Sequence, residues 1–476
     1  MKKSILIILA TALFLSPQVK AQFTVDAEVR PRGEIFYNKK KLPIKDVSKA
    51  VFSISQRTRI NTGYKSKWID IYVSLQDIRT WGNAPQLTSV SGATTWLHQA
   101  YGVGHITKWL DIKFGRQEIN LDDARIMGNV GWAQQARSHD AALLQFKPDG
   151  KTKIDFGVAY NPTKVTTPGG NYKTFQYLWL NRKFGKVQAS VLFLNNGKQV
   201  TSTLATDSVE HVTYTPTDTI SNWVGFNQDK VYFTQTIGTR VGYAGEKFSA
   251  FGAFYYQLGN NGGFSAVAND SISDVTITKR KTNAMLARLD VMGKLGPVTL
   301  SGGYEYQSGN SQVSPVAGED RAFSPFYGTN HKFNGLADYF YVGNHFGSVG
   351  LHNAFLGVKF AHKGFWIGAT GHYFAAAGDV ADLTTGTAMK SSLGGELDIL
   401  LGYKVSPTLI FAAGYSQVFA SNTLKTLRGA DPNNGIAVSD VSSNGSWGFI
   451  QVIFKPKLFN SDNYQLKKKE AAKKAG

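Results

Sequence analysis

Along most of the chain, apolar and polar residues alternate with a period of two, the repeat of a β-strand with one apolar face. In the first run Phe23, Val25, Ala27 and Val29 face one way, and Asp26, Glu28, Arg30 and Arg32 the other. Ile69, Ile71, Val73 and Leu75 oppose Asp70, Tyr72, Ser74 and Gln76; Leu397, Ile399 and Leu401 oppose Glu396 and Asp398. Eighteen such runs lie at 23–37, 50–64, 68–79, 95–106, 109–117, 138–147, 153–161, 173–183, 187–195, 230–243, 248–258, 280–292, 297–307, 349–360, 365–374, 391–404, 408–418 and 446–455. They run to about 9–15 residues, longer than the roughly 5–6 of a soluble strand and suited to the roughly 9–11 of a tilted membrane strand. The run 95–106 fits neither parity well.

Every second connection is short, as at Lys65-Ser66-Lys67, Pro148-Asp149-Gly150, Phe184-Gly185-Lys186 and His362-Lys363-Gly364. The others are longer, above all 196–229 and 308–348. This rhythm predicts an all-β fold: a transmembrane antiparallel β-barrel of 18 strands with short periplasmic turns and long outer loops. Lipid offers the backbone no hydrogen bonds, so a sheet in a membrane must close on itself. A barrel of this size encloses water and charged side chains rather than a packed core.

Composition agrees. Hydrophobic residues are 42% and charged residues only 18%, while Gly (49), Phe (30), Tyr (21) and Trp (9) are abundant, as in strands joined by tight turns. Cysteine is absent, which excludes disulfides, thiol nucleophiles and a lipoprotein anchor. Residues 1–21 read as a signal peptide: Lys2 and Lys3, the apolar run Ile5 to Leu15, then small residues ending at Ala21. Residues 22–460 read as the barrel, and 461–476 as a basic, solvated, disordered tail. The expected localisation is the outer membrane of a Gram-negative cell. The net charge of +19 on an exported chain points to anionic solutes, polysaccharides or lipid headgroups, and away from nucleic acid.

Residues 26–146 carry a set of ordered words: Arg30-Pro31-Arg32-Gly33-Glu34, Gln56-Arg57-Thr58-Arg59, Gln76-Asp77-Ile78-Arg79-Thr80-Trp81-Gly82 and Gln99-Ala100-Tyr101. Then come Phe114-Gly115-Arg116-Gln117, Arg125-Ile126-Met127-Gly128, Trp132 and Arg137-Ser138-His139-Asp140, and near the end Gly394-Gly395-Glu396-Leu397-Asp398. In these words the chain resembles the alginate-export family of outer-membrane barrels. The resemblance implies an 18-stranded barrel that carries an anionic polymer or small solutes. Barrels of this kind commonly end on an aromatic residue read by the barrel-assembly machinery. Here the last run holds Trp447, Phe449 and Phe454, and the chain continues through Phe459.

Parity assigns the candidate channel-lining residues. Arg30, Arg32, Arg57, Arg59, Lys113 and Arg288 face inward with Asp70, Glu305, Glu396 and Asp398. Two readings stand: a charged track for an anion, or a wall ladder in which arginines and carboxylates neutralise each other. Arg116, Arg125, Arg137 and Asp140, in and beside the third outer connection (118–138), are candidates for a constriction. Arg116, Asp77 and Arg79 fall on the apolar parity, where a charge in mid-lipid costs roughly 2–4 kcal/mol, so they either turn inward at a bulge or lie above the hydrocarbon. Trp68, Trp109, Trp179, Phe184, Trp366, Tyr373 and Trp447 near strand ends suggest two aromatic girdles. Trp81, Trp223 and Tyr327 are loop aromatics on which a sugar could stack.

Nothing points to an enzyme, and no metal or cofactor is implied. The nine histidines show no metal-ligand spacing, and adjacent His139 and Asp140 on a strand point to opposite faces. The sequence therefore predicts a passive outer-membrane channel for anionic polysaccharide or small anionic or polar solutes. The alternative is a closed structural or adhesion barrel whose outer loops bind surface glycans. Conductance separates the two.

Overall fold

The computed structural model describes residues 21–37, 40–83, 94–161, 172–199, 211–213, 231–268, 274–341 and 349–462. The signal segment 1–20, Trp223, most of 196–229 and the tail from 463 lie outside the described residues. Eighteen strands form the wall: β1 (Gln22–Phe36), β2 (Val51–Lys65), β3 (Ile69–Thr80), β4 (Thr94–His105), β5 (Leu110–Gln117) and β6 (His139–Phe146) come first. Next are β7 (Thr152–Tyr160), β8 (Thr174–Phe184), β9 (Val187–Gln199), β10 (Val231–Ala244), β11 (Phe248–Ala268) and β12 (Asp274–Leu295). Last are β13 (Val298–Gln307), β14 (Leu351–His362), β15 (Phe365–Ala375), β16 (Ser392–Ser406), β17 (Leu409–Ala420) and β18 (Asn444–Phe454). Each pairs antiparallel with the one before it, and β18 closes on β1 through Arg32↔Gln451 and Glu34↔Phe449. All eighteen predicted runs are strands.

The even-spaced turns gather at one end and the longer loops at the other, called here the turn end and the loop end. Outward positions carry exposed apolar side chains, such as Ile71, Leu397 and Ile450 at 47, 40 and 66% exposure. Only hydrocarbon makes such a belt stable. Among the described residues no helix is long and apolar enough to cross a membrane. The one α-helix among the described residues, α1 (Asn422–Arg428), lies in the ninth loop, where the Ser421 side chain caps it by accepting from the Leu424 amide.

Two local irregularities have clear causes. Ser74 pairs with Gln99 but Leu75 with Leu97, so His98 is an extra residue in β4. This bulge switches parity within the run, which is why 95–106 fits neither face. At the other end of the chain Pro456 cannot donate to the ladder, and β18 breaks there. The chain resumes at Lys457–Asn460 and pairs with the start of β1, Val25 opposite Phe459. The last pairing segment thus carries Phe459, whose ring lies 6.1 Å from that of Phe23.

The lumen is not lined by polar residues alone. The inward faces of β6–β12 present Leu143, Phe175, Tyr177, Leu192, Leu194, Tyr255 and Leu286, all buried in one apolar cluster with residues of the third and seventh loops. A second cluster joins Tyr339, Phe340 and Tyr341 of the seventh loop to Leu42, Phe374, Val418 and Leu424. The girdle prediction needs correction for the same reason. Trp68, Trp109, Phe184 and Tyr373 are exposed on the outside, but Trp179 and Trp447 are buried inside the barrel and Trp366 lines a lumen cavity. Their indoles have inner partners: Trp179 donates to Asp122 (3.1 Å) and Trp447 to Glu34 (3.2 Å).

Candidate functional site

The third loop, residues 118–138, folds into the barrel because its apolar side chains find the apolar inner wall. Ile119, Leu121, Ile126 and Met127 are each under 7% exposed. Burying one such side chain stabilises by about 1.5–3 kcal/mol. Asp122, Ala124, Val130 and Ala136 hold left-handed backbone, φ between 50 and 71°. Non-glycine residues keep that conformation only where their surroundings over-determine it.

The seventh loop also enters the lumen, and the two loops clasp each other. The Gly128 amide donates to the Tyr327 carbonyl and the Thr329 amide to the Ala124 carbonyl, both at 2.9 Å. Arg137 donates to the Gly328 carbonyl (3.2 Å) and Lys332 to the Asp123 carbonyl (2.8 Å). Arg125 is the centre of the clasp. It donates to Glu305 on β13 (2.6 Å) and to Asn330 of the seventh loop (2.9 Å), with its side chain 1% exposed.

The wall arginines hold the third loop in place. Arg30 donates to the Gln134 side chain (3.1 Å) and to the carbonyls of Gly131, Trp132 and Ala133. Arg32 donates to the Trp132 carbonyl (2.9 Å), pairs with Glu34 (3.3 Å) and stands 4.3 Å from the Trp132 ring centre. Arg57 bonds Glu28 (2.8 Å), and Arg59 bonds Gln76 (2.6 Å). Glu118, at the root of the loop, accepts from Asn129 (2.9 Å) and bonds His98 (2.8 Å). Burial raises the Glu118 carboxyl, but the His98 and Asn129 bonds and the charge of Arg59 outweigh it and hold the pKa below the ordinary value.

The remaining predicted lining residues divide between both loops and the wall. Arg288 pairs with Asp290 (2.6 Å) and Glu305 (3.1 Å). Glu396 accepts from the Ala337 amide (2.8 Å) and Asp398 from the Leu336 amide (3.2 Å), so these carboxylates anchor the seventh loop. Nearer the turn end, Lys113 lies 3.8 Å from the Tyr101 ring centre, and Asp70 meets His105 (3.3 Å). Much of the inward charge is therefore engaged within the wall and the folded loops.

Of the four constriction candidates, Arg125 and Arg137 sit where the two loops meet. Arg116 and Asp140 do not. They pair with each other at 2.9 Å, side chains 39 and 57% exposed, on the parity of outward-facing Phe114. Mutual neutralisation at the loop-end tips of the short strands β5 and β6 replaces the inward turn. Asp77 and Arg79 form a like pair at 2.7 Å, with Thr95 donating to Asp77. His139 turns inward to bond Tyr172 (3.0 Å), away from Asp140. Of the loop aromatics, Trp81 is exposed, while Tyr327 is buried in the clasp and bonds Asn196.

Period-two reading missed Gln134, Asn330, Asn334 and the segment 328–338. One signal was present: Phe323, Phe326, Tyr327, Phe333, Tyr339, Phe340 and Tyr341 make the seventh loop too aromatic to lie in water.

Two cavities flank residues 332–338. At the loop end, 580 Å3 is lined by Arg32, Glu34, Trp132, Arg137, His331 and Asp338 among others. Toward the turn end, 320 Å3 lies against Lys332, Phe333, Lys359, Trp366 and Asp398.

Fold and site together define an outer-membrane β-barrel whose loops are packed into its own lumen. No model of a known protein family matches the chain, and no curated protein matches its sequence. Solved structures do match. OccAB4 of Acinetobacter baumannii gives a TM-score of 0.54 at 12% identity, over 93% of this chain and 99% of that one. The outer membrane protein opdK of Pseudomonas aeruginosa gives 0.52 at 9%, over 92% and 99%. OccK2 (OpdF) of Pseudomonas aeruginosa, solved in complex with glucuronate, gives 0.51 at 10%, over 92% and 98%. At these identities the likeness is one of fold. The resemblance to alginate-export barrels rests on the sequence words alone.

Proposed function

We propose that this protein is a passive, porin-like outer-membrane channel for small anionic and polar solutes, with sugar acids as the leading class. The observation that carries this reading is the pair of inward-folded loops, held on buried Arg–carboxylate contacts, with a polar cavity on either side of residues 332–338. A folded-in constriction suits solutes of monosaccharide size better than a polymer. The net positive charge, and Arg32 and Arg137 on the loop-end cavity, favour anions. A barrel of the same fold has been solved with glucuronate, which supports the substrate class. Outer-membrane lipid is the partner of the apolar belt. The terminal strand segment with Phe459 is the segment offered to the assembly machinery.

Conductance in planar bilayers tests this. The purified barrel should conduct with mild anion preference, and liposomes containing it should take up glucuronate faster than glucose. A folded barrel that carries no current would overturn the channel and favour the adhesion alternative.

A further inference from the structure

The 320 Å3 cavity beneath the seventh loop has a floor that the outline of the channel does not explain. Trp366, near the turn end of β15, reaches sideways over β16, where Gly402 makes room for it. A Cβ at position 402 would lie 2.5 Å from the indole atom Cζ2 and 2.7 Å from Nε1. Any larger residue would lift the ring off the wall. The indole therefore lies against the backbone of Gly402, and Trp366 lines the cavity.

The charges around this ring are unevenly committed. Arg288, at one edge, is held by Asp290 and Glu305. Lys332, in the roof, donates to the Asp123 carbonyl. Lys359 is exposed on the lumen side of β14, with its Nζ 5.4 Å from the Trp366 ring centre and no acidic partner among the described residues. The hydroxyls of Ser301 and Thr370 and the carboxylate of Asp398 also line the space. An indole face with hydroxyls beside it and the Lys359 ammonium over it is an apolar platform with a few convergent polar groups, the usual make-up of a small-molecule site.

The geometry points to a second binding station on the turn-end side of the seventh loop, for a six-membered sugar acid. The pyranose ring stacks on Trp366 and the carboxylate meets Lys359. Ser301 and Thr370 are placed to exchange hydrogen bonds with ring hydroxyls. This rests on the channel reading above and adds a site to it. A solute leaving the seventh loop is caught once more before reaching open water.

Single-channel recording with glucuronate on the turn-end side tests the station. The wild-type current should show interruptions by bound solute. Trp366→Ala should shorten them about fivefold, the loss of one stacking contact, and Trp366→Phe should restore most of the duration. Lys359→Gln should shorten glucuronate interruptions and leave those of glucose unchanged; Lys359 is exposed, so this variant guards against a folding defect in the tryptophan series. Benzoate, which offers a ring and a carboxylate without hydroxyls, should bind more briefly than glucuronate. Open-pore KCl conductance should match wild type throughout. Unchanged glucuronate durations in both Trp366→Ala and Lys359→Gln would overturn the station while leaving the channel intact. A wild-type barrel that neither conducts nor is interrupted would overturn both.

Discussion

Arg125 and Glu305 are 180 residues apart in the chain and 2.6 Å apart inside the lumen, each with its side chain 1% exposed. This contact joins the third loop to the wall strand β13, and Asn330 joins the seventh loop to the same guanidinium. Arg125→Met leaves Glu305 still paired with Arg288 but removes the hydrogen bonds to Glu305, Asn330 and Asn334, so the loss should be at least that of one charged hydrogen bond, about 1.5–3 kcal/mol. Glu305→Gln leaves two buried arginines short of a partner and should cost more, about 3–5 kcal/mol. Thermal unfolding monitored by gel mobility gives the order, and conductance should rise in both as the loops loosen. Wild-type stability and conductance in Arg125→Met would mean that this contact does not hold the loops.

Selectivity should answer to Arg137 rather than Arg125. Only Arg137 lines the loop-end cavity, whereas Arg125 is sealed in the clasp. Arg137→Gln should shift the reversal potential toward cations at low salt, and less so at high salt, where screening shortens to a few Å. An unmoved potential would take Arg137 out of the conducting path.

Neighbouring positions on β16 should behave oppositely. Leu397 is exposed on the outer face, and Leu397→Arg near the midplane should destabilise by roughly 2–4 kcal/mol. Glu396 is 2% exposed beneath Gly335, so an arginine there has no room and would displace the seventh loop, whereas Glu396→Gln keeps the acceptor for the Ala337 amide. Glu396→Gln should therefore fold and insert as wild type does. Equal insertion yields for Leu397→Arg and Glu396→Gln would contradict the assigned faces.

The absence of native cysteine makes orientation accessible to labelling. Cysteine introduced at exposed Ser314 in the seventh loop should react with a membrane-impermeant thiol reagent on intact cells. Cysteine at Ser66, in the turn between β2 and β3, should react only after lysis. Labelling of both on intact cells would reverse or abolish the proposed topology.

Acid should weaken the root of the third loop. Glu118 is held below its ordinary pKa in the folded protein, so its contribution is fully present above the unfolded glutamate range and is lost as pH falls through the lowered value. The Glu118-dependent change in conductance should come only below the usual carboxylate range. Glu118→Gln should remove that acid step, and a wild-type step near neutral pH would rule Glu118 out as its cause.

The wall was legible because lipid and lumen are different solvents and impose a period of two on every strand. Legibility failed where that contrast failed. In β8, Phe175, Tyr177 and Trp179 face inward while Leu178 and Leu180 face out, so both sides are apolar and nothing in the run announces an inner core. At His98 one added residue exchanges the faces within a strand. Parity puts Arg116 on the outer face, and its charge argues against that face; pairing with Asp140 removes the objection. The lining arginines had two readings, solute track and wall ladder. Their observed partners are carboxylates and loop carbonyls, which no strand period encodes.

The apolar inner arc over β6–β12 separates two quantities that are easily confused. Strand number sets the circumference of a barrel, but here it does not set the bore. With the third and seventh loops packed against that arc, and the seventh packed also against Phe374 of β15 and Val418 of β17, ions would be left the gaps between loops and wall rather than the full bore. Conductance per strand should then be low for an 18-stranded wall. Changes in the diameter of the cylinder would matter less to permeation than a shift of one or two ångströms in the packing of its filling.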